Sequence, residues 1–106
     1  MEIRFTAELE KLYVSGTMPG SGSRNKLDKR VIDQFFEVTA ILEAANDIYD
    51  LWHQPSLHFE HLQGRSGTWY SARLDRKWRL EMTIEWTNDS KTIGIISLEH
   101  ISNHYR

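Results

Sequence analysis

Helices first and strands afterwards is the order this sequence predicts. The expected fold is α+β, with N-terminal helices packed on one face of a twisted, mainly antiparallel sheet of four to five strands. Three observations carry that expectation. Leu27, Val31, Phe35, Val38, Leu42 and Ala45 recur at helical spacing, with Ile32 and Ile41 widening the stripe. From Ser56 the apolar period drops to two. Turn residues (Gln63–Thr68, Asp75–Lys77, Thr87–Ser90) then divide the remainder into short strands.

Taken in order, Met1, Ile3 and Phe5 alternate and predict a short opening strand. Thr6 can cap a helix from Ala7 to about Ser15, with Leu9, Leu12 and Tyr13 on one face and Gly16 just past its end. TMPGSGSRN (17–25) is rich in Gly and Ser and reads as a loop. Asn25 and Asp28 resemble a capping box before the long helix, which Tyr49, Leu51 and Trp52 continue until Pro55. Leu57–Leu62 reads as a strand with His58 and Glu60 opposite Leu57 and Phe59. Trp69–Leu74 carries Trp69, Ser71 and Arg73 opposite Tyr70, Ala72 and Leu74. In the next strand, Trp78, Leu80, Met82, Ile84 and Trp86 face inward and Arg79, Glu81, Thr83 and Glu85 outward. Thr92–Leu98 is apolar on both faces, as a central strand should be, and EHISNHYR reads as a further strand ending in a His-Tyr pair.

At 106 residues the chain is one domain, 1–106, large enough to fold without staples, and it has no cysteine for disulfides, thiolate metal sites or thiol chemistry. Without a leader-like apolar segment or a spanning run, a soluble, cytoplasmic protein is expected. The net charge is −2, which by itself argues against nucleic acid. Its distribution argues the other way. Residues 1–55 hold six cations against nine acids, whereas residues 61–80 hold Arg65, Arg73, Arg76, Lys77 and Arg79 against Asp75 alone. Such a strand-borne patch can hold phosphates, and it can equally be a solvated hairpin.

Strand parity sets Glu60, Arg73 and Arg79 on the faces opposite the core residues, so on neighbouring strands they would share the uncovered side. A carboxylate, guanidiniums and a histidine suffice to cleave RNA without metal: a base for the 2′-hydroxyl, arginine for the phosphate charge, an acid for the departing 5′-oxygen. Trp69 and Tyr105 could stack on bases. Glu60 with Arg79 is as easily a cross-strand ion pair. Among the five histidines, His58 and His61 point to opposite faces of a strand, His-Glu-x-x-His is absent, and no metal or cofactor is expected.

LEKLY (9–13), ANDIYDL (45–51), FEHLQG (59–64), WYSARLDRKWRL (69–80) and NHY (103–105) resemble the RelE/ParE toxin superfamily, in particular its HigB and YoeB types. The resemblance implies the toxin of a type II toxin–antitoxin system that cleaves mRNA at the ribosome. Its expected partner is a cognate antitoxin, a helix-turn-helix protein of HigA type. It implies Glu60 as general base, Arg79 as phosphate-stabilising arginine and His104 as general acid, with Tyr105 beside it. Arg73 then becomes a further phosphate contact, with Arg65, Arg76 and Lys77 as flanking RNA contacts. Two departures stand out: Gln63 replaces a usual lysine, and Asn103-His104-Tyr105 replaces Asp-Tyr-His, which leaves His100 as an alternative imidazole. ParE-type toxins share the fold but act on gyrase, and a module that only binds antitoxin is a third possibility.

Overall fold

The computed structural model describes residues 1–16, 27–64 and 67–103. The predicted 17–25 loop, all but its surroundings, and the His104-Tyr105 pair lie outside them. Strand β1 (Glu2–Phe5) leads into helix α1 (Ala7–Ser15), and helix α2 (Lys29–Ala44) is followed by the short α3 (Ile48–Trp52). A 3₁₀ turn (Pro55–Leu57) then opens the strands β2 (Glu60–His61), β3 (Trp69–Arg73), β4 (Arg79–Trp86) and β5 (Gly94–Ser102).

Local chemistry sets the ends of these elements. Gly16 ends α1 in the left-handed region (φ 74°) and returns its N–H to the Leu12 carbonyl at 2.8 Å. The Asp28 carboxylate accepts the Val31 N–H at 3.0 Å and caps α2, while Asp47 caps α3 the same way through Asp50 N–H. The predicted stripe of α2 is the buried one: Val31, Phe35, Val38 and Leu42 pack under the sheet, joined by Leu9 and Leu12 of α1.

The sheet order is β1-β5-β4-β3-β2, antiparallel except for β1 beside β5. β5 thus lies inside the sheet, as its doubly apolar sequence predicts. Tyr70, Ala72, Leu80, Met82, Ile84, Ile96 and Leu98 point to the helix-covered side and form the core with the helices. Burial pushes the Tyr70 phenol above its ordinary pKa range.

Three strand expectations need correcting. The strand read over Leu57–Leu62 shrinks to Glu60–His61, because Pro55 starts a 3₁₀ turn and His58 adopts a left-handed conformation (φ 42°). That turn still sends Phe59 inward, stacked on Tyr70 at 5.3 Å between centroids. β4 begins at Arg79 rather than Trp78, because the Asp75 carboxylate takes the N–H groups of Lys77 and Trp78 (2.8 and 2.7 Å) and closes a tight turn. The predicted Thr92–Leu98 strand begins at Gly94 and is one strand with the start of EHISNHYR, continuous through His100 to Ser102.

That continuity depends on a bulge. Glu81 pairs with His100 but Met82 pairs with Leu98, so Glu99 is an extra residue in β5.

Candidate functional site

The face of the sheet away from the helices carries its side chains in lateral rows. One row crosses four strands, Glu60 opposite Ser71, Ser71 opposite Glu81, and Glu81 opposite His100. The next row toward the Asp75–Trp78 turn pairs Arg73 with Arg79 and Arg79 with Ser102. On the other side of the first row, Trp69 faces Thr83, and Thr83 faces Ser97.

Two guanidiniums directly opposite each other repel, and their partners hold them apart. Arg79 leans toward the sheet edge: its Nε donates to Ser71 Oγ at 2.9 Å and its Nη2 to the His58 carbonyl, and Nη2 lies 3.6 Å from Glu60 Oε1. Its side chain is only 11% exposed against 54% for Glu60. The arginine is therefore fixed and the carboxylate is accessible. Arg73 turns the other way, donating from Nε to the Asp75 carbonyl at 3.2 Å with Nη1 3.1 Å from His58 Nε2. The left-handed turn at His58 makes this possible, since it presents carbonyl and ring to two different arginines.

The arrangement brings together Glu60, Arg73 and Arg79, as strand parity predicts. His100 lies on the same face two strands beyond Ser71, with its ring 5.9 Å from that of Trp69. Arg76 and Lys77 sit exposed on the turn beside the arginine row. Arg76 lines a groove of about 760 Å³ against α2, where Asp33 and Glu37 also face Arg30 and Arg73, so that groove is mixed in sign. Arg65, His104 and Tyr105 lie outside the described residues. Among the described residues no three His, Asp or Glu side chains gather in a way that could hold a metal ion.

Three participants escape a reading by residue type. Ser71 is fully buried and holds Arg79, and its only signal is a small polar residue on the arginine face of an otherwise bulky strand. His58 acts partly through its carbonyl, which no sequence pattern marks. Glu81 reads as an outward, solvated acid but is 3% exposed and bonded to His100.

Chemically, the centre of this face is a fixed guanidinium beside an accessible carboxylate, a layout able to grip an oxyanion and take a proton next to it. Residues 8–95 match the family model of the RelE-like toxin HigB of type II toxin–antitoxin systems. The chain belongs to this HigB-like toxin family. Among curated proteins none matches. Solved structures with the same fold include YafQ from E. coli strain BL21(DE3), at 12% identity and TM-score 0.59 over 97% of this chain and 92% of that one. A YoeB/ParE toxin from Agrobacterium tumefaciens aligns at 13% identity and TM-score 0.53, covering 99% of this chain and all of that one. YoeB in a complex with YefM from Staphylococcus aureus aligns at 17% identity and TM-score 0.51, covering 99% and 98%. At such identities the likeness is one of fold, and the HigB-like toxin is placed within the RelE/ParE superfamily by its own family match.

Proposed function

We propose that this HigB-like toxin is a metal-independent endoribonuclease that cleaves mRNA on the ribosome and is held silent by a cognate antitoxin. The observation that carries the proposal is the Arg79–Glu60 pair on the open face, the arginine locked by Ser71 and His58 while the carboxylate stays accessible. Arg79 grips the scissile phosphate, and its preformed hydrogen bonds remove the cost of orienting it during the reaction. Glu60 accepts the 2′-hydroxyl proton. The 2′-oxygen then attacks phosphorus, leaving a 2′,3′-cyclic phosphate and a 5′-hydroxyl without water or metal.

Arg73 adds a second cation to the phosphate site, with Arg65 and the turn residues Arg76 and Lys77 on the flanking backbone. Trp69 offers a ring for a neighbouring base, and His104 and Tyr105 complete the assignment that family resemblance implies. The resemblance to YoeB bound to YefM supports an antitoxin partner, and a HigB-type toxin would pair with a HigA-like helix-turn-helix protein. No helix among the described residues is long and apolar enough to cross a membrane, in keeping with action on cytoplasmic ribosomes.

Inducible expression of the wild type and Arg79→Ala, with primer extension on translated messages, tests the proposal. New 5′ ends in the wild type alone are expected. Arrest without new ends but with gyrase inhibition overturns it in favour of a ParE-type action, and harmless wild-type expression with tight antitoxin binding leaves an inactive module.

A further inference from the structure

The bulge in β5 sets two consecutive residues, Glu99 and His100, on the open face. Leu98 before them is fully buried, and Ile101 after them packs against the core. Regular alternation would give this face only one residue of the two. His100 bonds to Glu81, whereas Glu99 turns to Thr83, whose Oγ1 donates to Glu99 Oε2 at 3.0 Å. The Glu99 side chain is thereby held in place, half-buried, and its Oε1 has no hydrogen-bond partner among the described residues. The nearest cation across the sheet, Arg4 of β1 opposite Ser97, is engaged with Glu2 at 3.0 Å.

As a phosphate contact this carboxylate is out of place, since like charges repel. Two oxygens that only accept suit instead the donating edge of a nucleobase. Aromatic surface adjoins it. Trp69 of β3 stands opposite Thr83, and its ring lies 5.9 Å from that of His100. A ring to lie against and a polar edge beside it are the two elements by which proteins hold unstacked bases. Among the four bases, guanine alone sets two donors side by side on its Watson–Crick edge, N1–H and the N2 amine, which match a carboxylate bidentately. Adenine and cytosine offer one amine beside an acceptor nitrogen, and uracil offers one N–H between two carbonyls, so each would aim an acceptor at Glu99.

We infer that Glu99 is a specificity residue that reads a guanine beside the cut, with Trp69 against the base and Thr83 aiming the carboxylate. The inference rests on the endoribonuclease reading above. Thr83 lies on the same face of β4 as Arg79, four residues and about 13 Å of strand away. The base site therefore adjoins the phosphate site without overlapping it.

The experiment programmes ribosomes with short messages that carry each base in turn at the three positions on either side of the mapped cut. The wild type should cut messages with guanine at one of these positions about 10–100-fold faster in kcat/KM than the others. Inosine there, which lacks the N2 amine, should lose about tenfold. Glu99→Gln, whose amide sets a donor beside an acceptor, should lose the guanine preference and favour adenine or cytosine; cutting of those messages also shows that the variant is folded. Thr83→Val should keep cutting with the guanine preference reduced about threefold or more, a change that a merely structural hydroxyl would not produce. A wild type that cuts all messages alike or favours another base, or a guanine preference that Glu99→Gln leaves intact, overturns this inference and leaves the endoribonuclease standing. Should Glu99→Gln be inactive on every message, Thr83→Val decides, and an unchanged preference there overturns the inference. A wild type that cuts no message overturns the endoribonuclease reading, and this inference with it.

Discussion

Leu80 and Glu81 are neighbours on β4, at 0% and 3% exposure, and they face opposite sides of the same sheet. Leu80 is buried among apolar side chains under the helices, where the gain is non-directional and scales with area. Glu81 is buried on the side that no helix covers, and it is tolerable there only because named atoms meet it. One face is therefore held by volume, the other by hydrogen-bond geometry, and substitutions on the two should fail in different ways.

The sharpest break in that comparison comes from Arg79→Ala and Leu80→Ala, one residue apart. Arg79→Ala should reduce message cleavage about 10²–10³-fold with a far smaller loss of stability, read from primer extension alongside urea unfolding. Leu80→Ala should cost about 2–5 kcal/mol in the same unfolding experiment, with cleavage by the fraction still folded little changed. Equal stability losses would dissolve the division between the faces.

A smaller effect tests the covered side for a misplaced polar group. Thr39 is buried in α2, and its hydroxyl has no hydrogen-bond partner among the described residues. Thr39→Val keeps the shape, removes that hydroxyl, and should raise stability by about 1 kcal/mol. No gain in the unfolding midpoint would mean the hydroxyl is satisfied. The smallest effect belongs to the arginine row. Sulfate should raise the wild-type Tm, because an anion relieves the Arg73–Arg79 repulsion, and Arg73→Gln should reduce that rise. A rise of equal size in both proteins would place the anion elsewhere.

The helices were the legible part of this chain. α1 runs over the residues its spacing and terminal glycine predict, although the Thr6 hydroxyl donates to the Glu99 carbonyl and makes no capping bond, and the α2 stripe is the buried one, because both rest on local spacing. Strand parity also placed Glu60, Arg73 and Arg79 together. What stayed hidden depends on tertiary contacts. His58 contributes through a backbone twist, Ser71 through a hydroxyl aimed at a guanidinium on another strand, and Glu81 through burial that its residue type argues against. The short β2 was overextended because alternation in Leu57–Leu62 persists even where a 3₁₀ turn replaces the strand.

The extra residue in β5 acts as a phase slip in the sequence. Everything up to Leu98 keeps one beat of inward and outward, and everything from His100 to Ser102 keeps the same beat displaced by one. Residue-for-residue alignment of this toxin with a relative lacking the slip would therefore assign His100, Ile101 and Ser102 to the wrong sides of the sheet. Deleting Glu99 would remove the slip and leave His100, Ile101 and Ser102 on their present sides, whereas forcing Glu99 into regular pairing would turn His100 inward and expose Ile101. Length in this strand thus carries information that residue identity alone does not.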